Sequence, residues 1–105
     1  MTQPCLLTLI AARTHEDTIT DWLLGTHDET GFTCFPAFGH GANAHTLSIG
    51  ERIEGRARCI SFQIVSESQD AARALVKDLA ERLPNQPIRW WISPLLDAGR
   101  EGTSE

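Results

Sequence analysis

The chain has 105 residues, of which 41% are hydrophobic and 22% charged, and this suits one globular domain with a modest core. The formal net charge is -5 and the nine Lys and Arg residues are scattered, which argues against a general nucleic-acid binder. No apolar run approaches the roughly 20 residues of a membrane span, and residues 1–4 carry no basic region of a secretory signal. We therefore expect a cytoplasmic protein without direct membrane insertion, whose three widely spaced cysteines are reduced thiols that mostly pack as small hydrophobic residues.

The first part of the chain predicts a strand, a helix and a second strand. Residues 5–11 form an apolar run too short for a lone helix, which favours a buried strand. Thr14 followed by Asp17 indicates a helix start, apolar residues then recur at helical spacing, and Gly25 ends the helix. Residues 31–39 are rich in aromatic and β-compatible residues and predict the second strand.

The second part predicts a strand, a helix and a last strand. Apolar and polar residues alternate over residues 56–65, which is typical of a strand. Ser66 and Gln69 resemble a capping box, and the following segment has one apolar face, so we expect an amphipathic helix that residues 84–87 terminate. Residues 88–92 predict the fourth strand.

This order is β-α-β-β-α-β, which predicts a ferredoxin-like α+β fold: a four-stranded antiparallel sheet with two helices on one face. We expect residues 1–98 to form this single domain and residues 99–105 to form a flexible polar tail.

The predicted sheet is apolar on both faces. In the first strand, Leu6 and Ile10 alternate with Leu7, and the fourth strand offers both Trp90 and Trp91. Two helices cover only one face of such a sheet, and a large exposed apolar face usually marks an interface. We therefore expect a homo-oligomer that buries the uncovered face.

The Gly- and His-rich segment between the second and third strands is the best candidate for a site, because function in small domains often resides on long loops. One hypothesis is a transition-metal site. Imidazole and thiolate are suitable ligands for Zn, Cu or Ni. The candidate metal ligands are His40, His45, Cys34 and Glu51.

A second hypothesis for the same segment is an anion site. Gly39 and Gly41 would let backbone N–H groups approach a phosphate, and arginines such as Arg56 and Arg58 would neutralise it. The simpler alternative is a turn or bulge that requires glycine, with solvent-exposed histidines. No nucleophile elbow and no Cys–His signature is present in the sequence, so we expect a protein that is not an enzyme.

The chain resembles the PII-like superfamily of trimeric signalling proteins, whose trimeric architecture the metal-tolerance CutA proteins share. The resemblance rests on Gly31-Phe32-Thr33 followed by Gly39-His40-Gly41, which is similar to the PII second strand and the base of its signalling T-loop. It implies a homotrimer with an inter-subunit cleft for an adenine nucleotide. In that cleft Thr33 would contact adenine, and Gly39 and Gly41 would lie beside the phosphates.

A closer resemblance is to a PII-like family of unknown function that is found beside heavy-metal efflux pumps of the RND type. It covers about residues 5–100 and rests on Asp21-Trp22-Leu23-Leu24, Leu47-Ser48-Ile49 and the segment 51–56, in addition to the two glycine motifs. It implies a regulatory or sensor protein that modulates the pump through a mobile loop between strands 2 and 3. A CutA-like metal-binding trimer and a nucleotide-binding PII-type module remain the alternatives.

Overall fold

The computed structural model describes residues 3–26, 31–40 and 57–102. The elements follow the order β-α-β-β-α-β in one four-stranded antiparallel sheet, which confirms the predicted ferredoxin-like α+β fold. The elements are β1 (Cys5–Ala12), a 3-10 turn (Arg13–His15), α1 (Glu16–Thr26), β2 (Phe32–Gly39), β3 (Ala57–Ser66), α2 (Gln69–Arg82) and β4 (Arg89–Pro94).

The strand order in the sheet is β2-β3-β1-β4, so β2 and β4 are the edges of the described sheet. The register places Leu9 opposite both Phe62 and Trp90, and Cys34 opposite Phe62. Directly opposed residues share a face of the sheet. These four residues therefore belong to one face, and the intervening residues of each strand belong to the other.

The hydrophobic core lies between this first face and the two helices, and the face is called the covered face below. Helix α1 contributes Ile19 and Leu23 and helix α2 contributes Leu75 and Leu79, at the spacing that keeps one stripe of a helix inward. The remaining buried residues of the core are Leu7, Leu9, Ala11, Trp22, Ile60, Phe62, Ile64 and Ala72.

Helix α2 begins later than the predicted capping box. The hydroxyl of Ser68 accepts a hydrogen bond from the backbone N–H of Ala71 at 3.1 Å, so Ser68 is the N-cap. Ser66, the predicted cap, is still paired with Cys5 in the sheet, and its buried Oγ has no hydrogen-bond partner among the described residues. The prediction was wrong because β3 extends to Ser66 before the chain leaves the sheet.

The opposite side of the sheet carries no helix in the described chain and is called the uncovered face. Its large side chains are Leu6, Ile10, Phe35, Val65 and Trp91, of which Phe35 is 42% and Trp91 45% exposed. The predicted alternation of apolar side chains to both faces of β1 is confirmed. The side chains at the centre of the uncovered face are smaller and more polar. They are Thr8, Ser61 and Gln63 of adjacent strands.

Strand β2 is exposed on both of its faces. Cys34 and Phe38 belong to the covered face, yet both are exposed, and only Phe32 among the β2 side chains packs against the core. Pro36 lies near the middle of this edge strand, a position where a missing N–H is tolerated. The helices therefore shield the centre of the sheet more completely than its β2 edge.

Within the described ranges, no helix is both long enough and apolar enough to cross a membrane. Beyond β4, the backbone N–H of Leu95 donates to the carbonyl of Pro4 at 2.9 Å, which continues the contact between β1 and β4. Residues 99–102 are exposed and lie outside any helix or strand. The division into a domain over residues 1–98 and a tail over residues 99–105 stays a prediction.

Candidate functional site

The residues proposed as metal or nucleotide ligands are spread along β2 and the start of β3. Thr33, Cys34 and Gly39 lie in β2, His40 follows it directly, and Arg58 lies near the start of β3. The other candidates fall in the segment 41–56, which joins β2 to β3. These residues, Gly41, His45, Glu51 and Arg56, lie outside the described residues.

Cys34 and His40 cannot bind the same metal ion within one protomer. They are six positions apart along an extended segment, which corresponds to about 20 Å, whereas metal ligands lie within ~2.3 Å of the ion. Over residues 3–26, 31–40 and 57–102, no group of three His, Cys, Asp or Glu side chains is placed to hold a metal. A site that combines His40 with His45 and Glu51 stays a prediction.

The three cysteines differ in exposure. Cys5 and Cys59 are buried, as expected of thiols that pack as small hydrophobic residues, whereas Cys34 is exposed. All three are free thiols. Cys34 is exposed because it lies on β2, an edge strand of the described sheet. Sequence alone could not reveal this, since the strand order decides it.

The candidate nucleotide contacts lie on different faces of the sheet. Thr33 is paired with Gln63 on the uncovered face, and Gly39 lies on the same face at the far end of β2. Arg58 is paired with Phe38 on the covered face. One ligand that reached both Thr33 and Arg58 would therefore have to pass around the edge of β2.

Basic side chains from several elements gather at the end of the sheet from which the segment 41–56 leaves. Arg13 follows β1 directly, Arg58 lies near the start of β3 on the covered face, and Arg89 begins β4 on the uncovered face. The Arg13 Nε–H donates to the carbonyl of Cys59 at 3.0 Å, which fixes that side chain against β3. Two carboxylates, Glu16 and Asp17, open α1 nearby and lie at the positive end of its dipole. Sequence reasoning did not find Arg13, because the contact joins two distant parts of the chain.

The uncovered face is a candidate interaction surface in the described structure. Phe35 on β2 and Trp91 on β4 stand at its two sides, and Ile10 on β1 lies between them. Their side chains are partly or largely exposed, although most large apolar residues of a small domain are buried. An apolar surface of this kind is typical of a protein interface.

Comparison with solved structures supports a PII-like fold. A DUF3240 family protein from Shewanella baltica OS155 superposes with a TM-score of 0.74 at 25% identity, over 97% of this chain and 100% of that one. A provisionally assigned PII-like signaling protein from Thermus thermophilus gives a TM-score of 0.60 at 18% identity, over 90% and 88% of the two chains. A Bacillus cereus protein related to NIF3 gives 0.58 at 15% identity, over 94% of this chain but 27% of the larger one.

No curated protein matches the sequence significantly. A protein-family model does match it: the family described as "Protein of unknown function (DUF3240)" covers residues 1–102. With the fold and the sequence match in agreement, the chain belongs to the DUF3240 family.

Proposed function

We propose that this protein is a non-enzymatic regulator of the PII-like type, which assembles as a homotrimer and modulates a membrane transporter. The fold supports the first part of the proposal, because a structure of similar fold belongs to a provisionally assigned PII-like signaling protein. The uncovered face of the sheet supports the second part, the assembly into a homotrimer.

The uncovered face supports self-association for a physical reason. Phe35, Trp91 and Val65 each leave about half of their surface in water in a single protomer, and each apolar Å² removed from water stabilises an assembly by ~25 cal/mol. Arg89 lies on β4 at the edge of this face rather than at its centre. Charged groups usually lie at the rim of an interface, and the centre of this face carries the polar residues Thr8, Ser61 and Gln63 between its apolar side chains.

Light scattering of the purified protein tests the assembly. A homotrimer gives a mass of about 35 kDa, three times the 11.6 kDa of the protomer. A mass near one protomer at micromolar concentration would remove this part of the proposal.

For the partner, we propose a heavy-metal efflux pump of the RND type, as the family resemblance implies. The segment 41–56 would make the contact, since it joins β2 and β3 beside the basic end of the sheet. Segments that order on binding a ligand or a partner are a common regulatory device. The test is metal transport by the reconstituted pump, with the wild-type protein or a variant in which a short Gly-Ser linker replaces residues 42–54. The proposal would be contradicted if the transport rate were the same with the wild-type protein, with the variant and without either protein.

We propose that the ligand that controls this regulator is a transition-metal ion or an adenine nucleotide. Calorimetry with ATP, ADP, AMP, Zn²⁺, Cu²⁺ and Ni²⁺ separates the two. A nucleotide module should lose affinity when Thr33 is changed to Val and should tolerate His40→Ala. A metal module should show the reverse pattern.

A further inference from the structure

A cavity of about 160 Å³ opens between helix α2 and the edge strand β4, on the covered side of the sheet. The fully buried side chain of Leu9 and the nearly buried Leu79 lie at its base. Trp90 lines it from β4 and remains 41% exposed, although its neighbours Leu9 and Phe62 on the same face are fully buried. The indole ring therefore forms a wall of an open cavity and does not fill the core.

The mouth of this cavity is polar but uncharged. Asn85 and Gln86 line it from the turn that links α2 to β4, and the other lining side chains are apolar. Asn85 has a positive φ of 64°, a conformation that asparagine tolerates better than most residues. Gln86 Oε1 lies 3.1 Å from His15 Nε2, which holds the amide against the 3-10 turn. Two carboxamides thus offer both donors and acceptors beside an apolar chamber.

The size and lining of the cavity define the class of molecule that it suits. An engineered apolar cavity of about 150 Å³ accepts benzene, so this one has room for a compact ring. A flat ring would stack on Trp90, and a hydrogen-bonding group at its edge would meet the carboxamides. A charged group is disfavoured, because no described side chain that lines the cavity carries a charge to pair with it.

We propose that this cavity binds a small neutral aromatic molecule of one or two fused rings with one hydrogen-bonding group, of the size of phenol or indole. The site is separate from the uncovered face, since Trp90 and Trp91 project to opposite sides of β4. The described residues that line it lie on β1, α2, β4 and the α2–β4 turn. Ligand binding in this cavity would let the protein respond to a small molecule independently of a metal ion or a nucleotide.

The test is a titration of the full chain with indole and with phenol, followed by amide and indole NMR shifts and by calorimetry. The shifts should cluster at Trp90, Gln86 and Ala80. Benzoate, which has a similar ring but a negative charge, should bind at least about tenfold more weakly than phenol.

Two variants and one matched control locate the site. Trp90→Ala removes the stacking wall and should weaken indole binding about tenfold. Ala80→Leu projects a larger side chain from an exposed position of α2 into the cavity and should block binding without disturbing the core. Leu24→Ala is the control, because Leu24 is 57% exposed on α1 and does not line the cavity, and it should leave the affinity unchanged.

Three results would overturn the proposal. The first is no shift with either probe at millimolar concentration. The second is an equal loss of affinity in Trp90→Ala and Leu24→Ala, which would indicate nonspecific binding to exposed apolar side chains. The third is a change in the same NMR signals on dilution without any probe, which would show that a second copy of the chain occupies the cavity.

Discussion

The indole Nε1 of Trp22 donates a hydrogen bond to Oδ2 of Asp78 at 2.8 Å and so joins α1 to α2 above the sheet. Trp22 is buried with the core, and the carboxylate is half-buried, so the bond lies largely out of water. A hydrogen bond to a charged group contributes about 1.5–3 kcal/mol. The contact thus fixes how the two helices lie against each other.

Trp22→Phe should reduce the free energy of unfolding by about 2 kcal/mol, because it keeps an aromatic ring in the core but removes the donor to the carboxylate. Urea denaturation measures this change. Asp78→Asn is the matched variant: its amide oxygen still accepts from the indole, so its loss should be smaller. Trp22→Phe with wild-type stability would show that the bond has no net effect.

The two serines at the β3–α2 junction should respond in opposite ways. Ser68→Ala removes the N-cap and should cost about 1 kcal/mol. Ser66→Ala removes a buried hydroxyl without a partner in the described structure. The melting temperature of this variant should therefore be unchanged or higher. Thermal denaturation of the two single variants decides the matter, and a larger loss in Ser66→Ala would restore Ser66 as the cap.

One cysteine per chain should react quickly with a chromogenic aromatic disulfide under native conditions. Cys34 is exposed, while Cys5 and Cys59 are buried and should react only after the chain opens. Cys34→Ser should remove the fast phase and leave the slow phase intact. A fast phase that persists in this variant would contradict the placement of β2 at the edge of the sheet.

Phe35→Glu should prevent the proposed self-association, because the oligomer would then have to bury a carboxylate without a partner. The expected mass by light scattering is 11.6 kDa, that of one protomer. Leu24→Glu is the control, since Leu24 is 57% exposed on α1, away from the uncovered face. If both variants keep the mass of the wild-type protein, the interface lies elsewhere.

If the protein binds a transition metal, replacing His40 and His45 together by alanine should abolish Zn²⁺ and Cu²⁺ binding. Cys34→Ser should have little effect, because Cys34 lies about 20 Å from His40 along the strand. Binding should weaken on acidification, since a protonated imidazole cannot coordinate a metal. Unchanged binding by the double-histidine variant in calorimetry would remove the metal site.

The order of elements could be predicted from the sequence because each helix has one apolar stripe and each strand an alternating or continuous apolar pattern. The position of each strand within the sheet could not, and it decides the exposure of Cys34 on β2 and of Trp90 on β4. The cavity could not be predicted for the same reason, because it depends on where β4 lies in the sheet. In the sequence, residues 84–87 predict only the end of a helix, but the fold places Asn85 and Gln86 at the mouth of the apolar cavity.

Pro36 has a further consequence for the behaviour of this protein in concentrated solution. An exposed edge strand that carries Phe35 and Phe38 is a candidate site for aggregation, since edge strands can pair with a strand of another molecule. Proline has no N–H to offer and cannot join a continuous cross-β ladder. We therefore expect Pro36 to hinder strand addition at the middle of β2.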